Sequence, residues 1–323
     1  MEAFRFEALP SEVFAVLTAC LFGDDLIRLS HVSSRLYSEL LASPSIWTSR
    51  MTHHYITDAT TLTASEAKWR YSQETSLLFP GMESKPGEPL RGGGACVPVP
   101  TFFRRESHYR RVSNRRPRLQ NDSFTMDIWF SLLPSAPDKY DGGILVASQS
   151  TPCQMTDRCA DNHQQFVYID HKRTLYCSVL GHDEVITDKL QQERWYHLVL
   201  TFDGWEQAVH LDGHLKRRTQ GSVYHEWRYL HYTQIGTGCI TGASIAKPTP
   251  DFRGWYAFRG IIDEFRLWKS ALEHYQIQLL VRGIALKLQP VYSVKGSSSV
   301  ELHGGVTRVR CSRPLERHCQ LRE

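Results

Sequence analysis

The segment FTMDIWFSL, Phe124 to Leu132, decides how the larger part of this chain is read. Phe124, Met126, Ile128, Phe130 and Leu132 alternate with Thr125, Asp127 and Ser131. A period of two marks a half-buried strand, because successive side chains leave a strand on opposite faces. WYHLVLTF, Trp195 to Phe202, repeats the pattern with Tyr196, Leu198, Leu200 and Phe202 on the inward face. Ala208 to Leu211 and His214 to Lys216 flank Asp212-Gly213, a dipeptide suited to the positive φ values of a type I′ hairpin turn. Phe166 to Ile169, Thr174 to Val179 and Ile261 to Trp268 supply further strands. Many short strands separated by turns indicate an antiparallel β-sandwich.

Several of these segments occur together in one family. FTMDIWFSL, RWYHLVLTFDG, AVHLDGHL, IGTG and FRGIIDEFRLWKSALE resemble, as a set, the laminin-G-like, concanavalin-type jelly roll, from about Ser123 to Leu280. The resemblance implies two curved antiparallel sheets with loops gathered along a rim. It also implies sugar or protein binding through those loops, in some relatives with calcium. Asp138, Asp141, Trp205, Trp227, Tyr229 and Tyr232 supply the acids and aromatic faces such a site would use. No metal site or other cofactor is assigned; calcium in the sandwich is admitted by the resemblance but not predicted. The insertion from Gln149 to His163, with Cys153 and Cys159, departs from the minimal domain.

The same resemblance admits glycosidases, which place two carboxyl groups about 5–5.5 Å apart when they retain configuration. Asp263 and Glu264 are adjacent and, on a regular strand, point to opposite faces. Glu264 then pairs with Arg266, while Asp263 accepts hydrogen bonds from backbone donors. No Gly-x-Ser-x-Gly elbow, phosphate-cradling Gly-Lys-Ser/Thr loop or His-Glu-x-x-His pair is present. His53-His54, and Cys153 with Cys159 and His163, fit zinc spacing poorly. The expectation is a non-catalytic chain.

At the other end, LPSEVFAVLTACLFGDDLIRLSHVSSRLYSELLASPSIW, Leu9 to Trp47, has helical periodicity. Pro10 lies just inside a helix start, Gly23 ends that helix, Asp24 caps the next and Pro44 breaks the stripe. Leu9-Pro10, Glu12, Asp25-Leu26, Val32-Ser33, Arg35 and Ser43 to Trp47 resemble the F-box. The resemblance implies a helical hook in which Leu9, Pro10, Val13, Leu17, Leu21, Leu26, Leu29, Val32, Leu36 and Trp47 contact a Skp-type adaptor of a cullin-RING ubiquitin ligase. The family usually carries an aromatic residue after the Arg, where this chain has Leu36 and then Tyr37.

The expected fold class is therefore multidomain α plus all-β: a small N-terminal helical F-box followed by an antiparallel β-sandwich of jelly-roll type. Residues 5–50 form the F-box, 51–79 a helical extension that includes ASEAKWRY, 80–122 a Gly/Pro- and Arg-rich linker, 123–282 the sandwich and 283–323 a tail in which Leu286 to Val294 can pair as one further strand. Arg104, Arg105, Arg110, Arg111, Arg115, Arg116 and Arg118 make a solvated linker or an import signal. No aromatic-basic alternation accompanies them, which disfavours nucleic acid as a partner. With 41% hydrophobic and 22% charged residues and a net charge of +4, the composition is that of an ordinary globular protein. No apolar run reaches the roughly 18 residues of a membrane span, and no signal-peptide pattern opens the chain. The expectation is a cytoplasmic or nuclear protein whose 8 cysteines are thiols. On this reading the chain is a ubiquitin-ligase substrate receptor that captures a protein or glycoprotein target. The alternative is a non-catalytic carbohydrate-binding or adhesion protein of the laminin-G type, which implies export and oxidised cysteines.

Overall fold

The computed structural model describes residues 10, 13, 38, 47, 63, 65–66, 75–81, 97–100, 123–136, 139–152, 160–180, 184–221, 223, 229–240, 254–282, 286–295, 302 and 305–310. Two large antiparallel sheets dominate them. In chain order the strands are β1 (Thr75–Pro80), β2 (Val97–Pro100), β3 (Phe124–Leu132), β4 (Gly143–Gln149), β5 (His163–Ile169), β6 (Leu175–Cys177), β7 (Val185–Thr187) and β8 (Trp195–Phe202). They continue with β9 (Glu206–Leu211), β10 (His214–Gln220), β11 (Tyr232–Ile235), β12 (Cys239–Ile240), β13 (Gly254–Trp255), β14 (Arg259–Trp268), β15 (Tyr292–Lys295) and β16 (Thr307–Arg310). One helix, α1 (His274–Val281), follows β14.

The larger sheet runs β10-β9-β8-β3-β14-β1-β16, with β15 also paired to β14; the second runs β2-β11-β4-β5-β6-β7. Between them lies the main core. Met126, Ile128 and Phe130 of β3, Leu198, Leu200 and Phe202 of β8, and Ile262, Phe265 and Leu267 of β14 meet Phe166, Val167, Leu175 and Ile235 of the facing sheet. The alternation in β3 and β8 thus selects the inward set correctly. At the hairpin between β9 and β10, Asp212 and Gly213 both take positive φ, 51° and 78°, as a type I′ turn requires.

Three sequence expectations change. First, the sandwich reaches well outside 123–282. β1 and β16 pair with each other, β1 also borders β14, β2 pairs with β11 and β15 pairs with β14. Residues 75–79 had been placed in the helical extension, Pro80 and Val97–Pro100 in the linker and Arg308 in a loose tail. Short strands that carry Pro at an end, as β1 and β2 do, fit sheet margins and give little local signal. Helical residues do occur before β1: Ser65 and Glu66 are helical. Thr63 and Glu66 bond reciprocally, Thr63 N to Glu66 Oε2 at 2.9 Å and Glu66 N to Thr63 Oγ1 at 3.3 Å, a capping box.

Second, β3 is not half-buried. Thr125, Asp127, Trp129 and Ser131, on its second face, are as enclosed as the core set. Part of the cover is α1, whose Ile277 and Leu280 pack with Leu272 and Leu286 against Val199 and Trp268. Glu273 and Gln276 form a capping box at its start, and Gln278 Nε2 donates to Gly213 O at 2.7 Å. Thr125 Oγ1 donates to Ser270 O at 2.7 Å and accepts from Leu272 N at 2.9 Å, which holds the approach to the helix against β3.

Third, Cys239 is disulfide-bonded, to a cysteine outside the described residues, whereas all cysteines had been expected as thiols. Cys177 is a free thiol in the core, and burial pushes its pKa up, so it is inert to oxidation. Cys239 sits on β12, where its carbonyl accepts from Gln165 Nε2 of β5 at 2.5 Å. That hydrogen bond ties the β12–β13 hairpin to the second sheet. Denatured without reductant, the protein will expose at least two fewer reactive thiols than its 8 cysteines, and reduction will cost about 2–4 kcal/mol of stability. Eight reactive thiols before reduction would refute the bridge.

Candidate functional site

Strand directions divide the connections between two rims. The β4–β5, β6–β7, β8–β9 and β10–β11 connections gather at one, and the β3–β4, β5–β6, β7–β8 and β9–β10 connections at the other. β4 runs from one to the other over 7 residues, a separation of roughly 20 Å. Asp141 precedes β4 on the second rim, whereas Trp205, Tyr229 and Tyr232 lie on the first. The sequence-predicted ligand set is therefore split, and its acids and aromatics do not converge. Asp138 and Trp227 lie outside the described residues.

Asp141 is already occupied. Its carboxylate accepts from Ser135 Oγ and, at 3.5 Å, from Arg259 Nη1. Gln192 Nε2 donates to Ser135 Oγ at 2.6 Å, and Arg259 Nη1 to Pro134 O at 2.5 Å. These bonds tie the β3–β4 loop to the start of β14. Gly142 and Gly143 then run against the backbones of Ile169 and Ala257, an approach any Cβ would block. Asp141 is a loop anchor.

The first rim presents Trp205. Asp203 Oδ1 accepts from Trp205 N at 2.8 Å and Glu206 N at 2.7 Å, Gly204 takes φ 103°, and Gly221 N donates to Trp205 O at 2.8 Å. The backbone is held on both sides, yet the residue is 61% exposed. A tryptophan buries on the order of 200 Å² when enclosed, so leaving it in water forgoes several kcal/mol of apolar burial. Beside it Arg218 Nη1 pairs with Glu206 Oε1 at 3.2 Å. The rim is braced from below: Gln207, fully buried on β9, donates to Glu184 Oε2 at 2.6 Å and accepts from Val179 N at 3.0 Å. Tyr229 is 41% exposed and Tyr232 half-buried.

Of the residues expected to meet an adaptor, Leu9, Leu17, Leu21, Leu26, Leu29, Val32 and Leu36 lie outside the described residues. Pro10 is exposed, Val13 is helical and 43% exposed, and Trp47 is helical and wholly buried.

Sequence reasoning missed the charged layer on the outer face of the larger sheet. Arg266 of β14 pairs with Asp127 of β3 in register. Its Nε donates to Asp127 Oδ1 at 3.0 Å, its Nη2 to Asp127 Oδ2, and its Nη1 lies 3.3 Å from Glu264 Oε2. Asp127 Oδ2 also accepts from His197 Nε2 at 2.7 Å, and the imidazole stacks on Trp129 with centroids 4.5 Å apart. Burial alone would raise the Asp127 pKa, but the Arg266 charge and the His197 bond outweigh it and hold the carboxyl below its ordinary value.

A bulge alters the reading of the two adjacent acids. Register slips between Ile262 and Glu264, and Ile262 and Phe265 both face the inter-sheet core. Asp263 is thereby an extra residue that leaves the core beside Glu264 rather than opposite to it. It accepts from Ser76 Oγ of β1 at 3.0 Å. The expected side-by-side pair of Glu264 and Arg266 is present, whereas the acceptor role of Asp263 is met by a hydroxyl. Both acids and Asp127 are buried at about 1% exposure. None of these three carboxylates reaches solvent. Among the described residues, no group of three or more His, Cys, Asp or Glu side chains is arranged to hold a metal, and no helix is long and apolar enough to cross a membrane.

The family profile described as the Concanavalin A-like lectin/glucanases superfamily matches residues 105–278, more than half of the chain, and the chain belongs to that superfamily. No F-box profile matches the N-terminal segment. A comparison with curated proteins returns no match. Among solved structures, a candidate carbohydrate binding protein from Bacteroides ovatus is similar at 16% identity and TM-score 0.40, over 75% of this chain and 62% of that one. A heptameric SAP-like pentraxin from Limulus polyphemus is similar at 14% identity and TM-score 0.40, over 76% and 98%. Trypanosoma rangeli sialidase in complex with sialic acid is similar at 16% identity and TM-score 0.38, over 63% and 28%. This chain thus spans less than two thirds of the first and the third.

His210 of β9 gives the outer face its acid sensitivity. It is 4% exposed, and burial first, then the charges of His274, Arg218 and His197, bring its pKa down to about 4. The His274 ring of α1 stands 5.7 Å away. Because the folded value is depressed, the unfolded chain binds more protons between pH ~6.5 and ~4, and stability is lost as pH falls through that window. The loss amounts to about 3 kcal/mol by pH ~4. His210→Phe will flatten the dependence of Tm on pH there; a variant whose Tm falls as steeply as that of the parent would assign the acid sensitivity elsewhere.

Proposed function

We propose that the sandwich is a non-catalytic carbohydrate-binding module whose contact surface is the rim carrying Trp205. The observation that carries this reading is the rigid display of that side chain: both sides of its turn are bonded, and its ring stands in water. A flat apolar ring stacks on the apolar face of a pyranose, and neighbouring hydrogen-bonding groups take the hydroxyls. Asp203, Glu206 and Arg218 flank it. Membership of the superfamily supports the ligand class. The enclosure of Asp127, Asp263 and Glu264 supports binding over hydrolysis. The disulfide at Cys239 favours an oxidising compartment over the reducing cytosol.

A second reading keeps the sandwich as the capture module of a ubiquitin-ligase receptor, with the N-terminal unit on a Skp-type adaptor and a glycoprotein as target. Val13, an apolar residue on a helix left 43% exposed, favours it; the disulfide opposes it. Co-purification with the adaptor decides: recovery by the parent chain and loss in Leu9→Ala/Pro10→Ala supports it, whereas equally poor recovery by both removes it.

For the main reading, the intact chain is screened on a glycan array and the hits are titrated calorimetrically. Trp205→Ala will weaken binding by about 2 kcal/mol, roughly thirtyfold in Kd, without lowering Tm. An array with no hits, or a hit bound equally well by Trp205→Ala, sinks the assignment.

A further inference from the structure

Behind the same rim, the outer face of the second sheet holds polar groups that the fold does not use. Tyr232 of β11 pairs with Gln149 of β4, and Gln234 pairs with Ala147. Ile235 and Val146 point into the core, so Gln149, Ala147, Tyr232 and Gln234 project from the opposite face. Gln149 and Gln234 are diagonal neighbours there, about 7 Å apart at the backbone and within reach of each other's side chains. The chain then bends through Gly236 and Thr237 onto this face, where Gly238 lies so close to Ala147 that a Cβ would come within 2.6 Å of that residue.

Gln234 and Thr237 are fully buried, and Gln149 is 1% exposed. Among the described residues, neither amide atom of Gln234 has a hydrogen-bond partner, nor does Thr237 Oγ1 or Gln149 Oε1. Flipping the Gln234 amide cures nothing, because both ends are unbonded. Buried polar groups are almost always bonded, and leaving several unbonded in one small region is costly. Gln149 Nε2 donates to Thr151 O at 3.0 Å and Pro152 O at 3.1 Å, which holds the start of the insertion at the rim beside Tyr232.

We infer that Gln149, Gln234 and Thr237 form a second, enclosed contact position for a neutral, hydroxyl-bearing ligand, entered from the rim past Tyr232. This deepens, and rests on, the carbohydrate-binding reading. A carboxamide offers a donor and an acceptor side by side, the pattern that adjacent sugar hydroxyls complement. Ala147, Ile144 and the Tyr168–Tyr176 stack, further along this face, are uncharged, which suits a neutral sugar rather than a phosphorylated or acidic one. Entry requires Gln149 to release the Thr151 and Pro152 carbonyls, after which its amide and that of Gln234 bond to the ligand.

The test uses the intact chain with the methyl glycosides of glucose, galactose, mannose and N-acetylglucosamine. Gln234→Met keeps the volume and removes the amide. A rise in Tm together with a loss of affinity of about tenfold or more supports the inference. A rise in Tm with unchanged affinity overturns it alone and leaves the Trp205 rim intact. A fall in Tm also overturns it, because the amide is then bonded within the folded protein. Should Gln234→Met not fold, the isosteric Thr237→Val is read by the same criteria. Failure of the parent chain to bind any of the four glycosides overturns this inference, and the Trp205 rim then stands or falls with the glycan array.

Discussion

A carboxylate placed in the middle of a sheet has to be neutralised where it stands. Asp127 sits at the centre of β3, the strand that joins the two halves of the larger sheet, and its charge is met by Arg266 from one side and His197 from the other. Removing such ions from water costs several kcal/mol apiece, recovered only when geometry saturates the charges. Here the guanidinium spans two carboxylates, Asp127 and Glu264. The arrangement works only in one register of β14 on β3 and of β3 on β8. A slip of one residue would turn every partner to the other face. The network therefore specifies pairing, and the rims inherit their positions from it.

The bulge at Asp263 belongs to the same arrangement. By adding one residue it lets Ile262 and Phe265 both enter the core while Asp263 and Glu264 leave it together. Carboxylates that would otherwise be natural suspects for glycoside cleavage are thereby drawn into structural work, with Ser76 and Arg266 as partners. Binding chemistry is left to the ends of the strands. One end spends its acid, Asp141, on anchoring a loop; the other holds Trp205 in the open.

The sandwich was legible because β3 and β8 write their inward faces in a period of two, and because Asp212-Gly213 is a turn signal with a backbone reason. What the sequence concealed has physical causes as well. β1, β2 and β16 are short and lie toward the margins of their sheets, so local composition around them reads as linker or tail. Glycine and proline near β1 and β2 speak for breaks, whereas pairing partners more than a hundred residues away decide the outcome. Thr125, Asp127 and Ser131 read as the solvent face of β3, because periodicity distinguishes two faces but not whether the second is covered. The bulge is invisible for a similar reason: only the register shows that two successive acids share a side. The candidate ligand set mixed two rims because residue types suggest chemistry without fixing which end of a strand they occupy.

Ligand contact is proposed at the rim formed by the β8–β9 turn and the approach to β11. Hydrogen–deuterium exchange of the intact chain, with and without a saturating saccharide, tests that placement directly. Slowed exchange of amides in residues 203–206 and 229–232, with residues 139–143 and 170–174 unchanged, is the predicted result. Protection confined to 139–143 and 170–174 would place the ligand at the opposite rim and contradict the account.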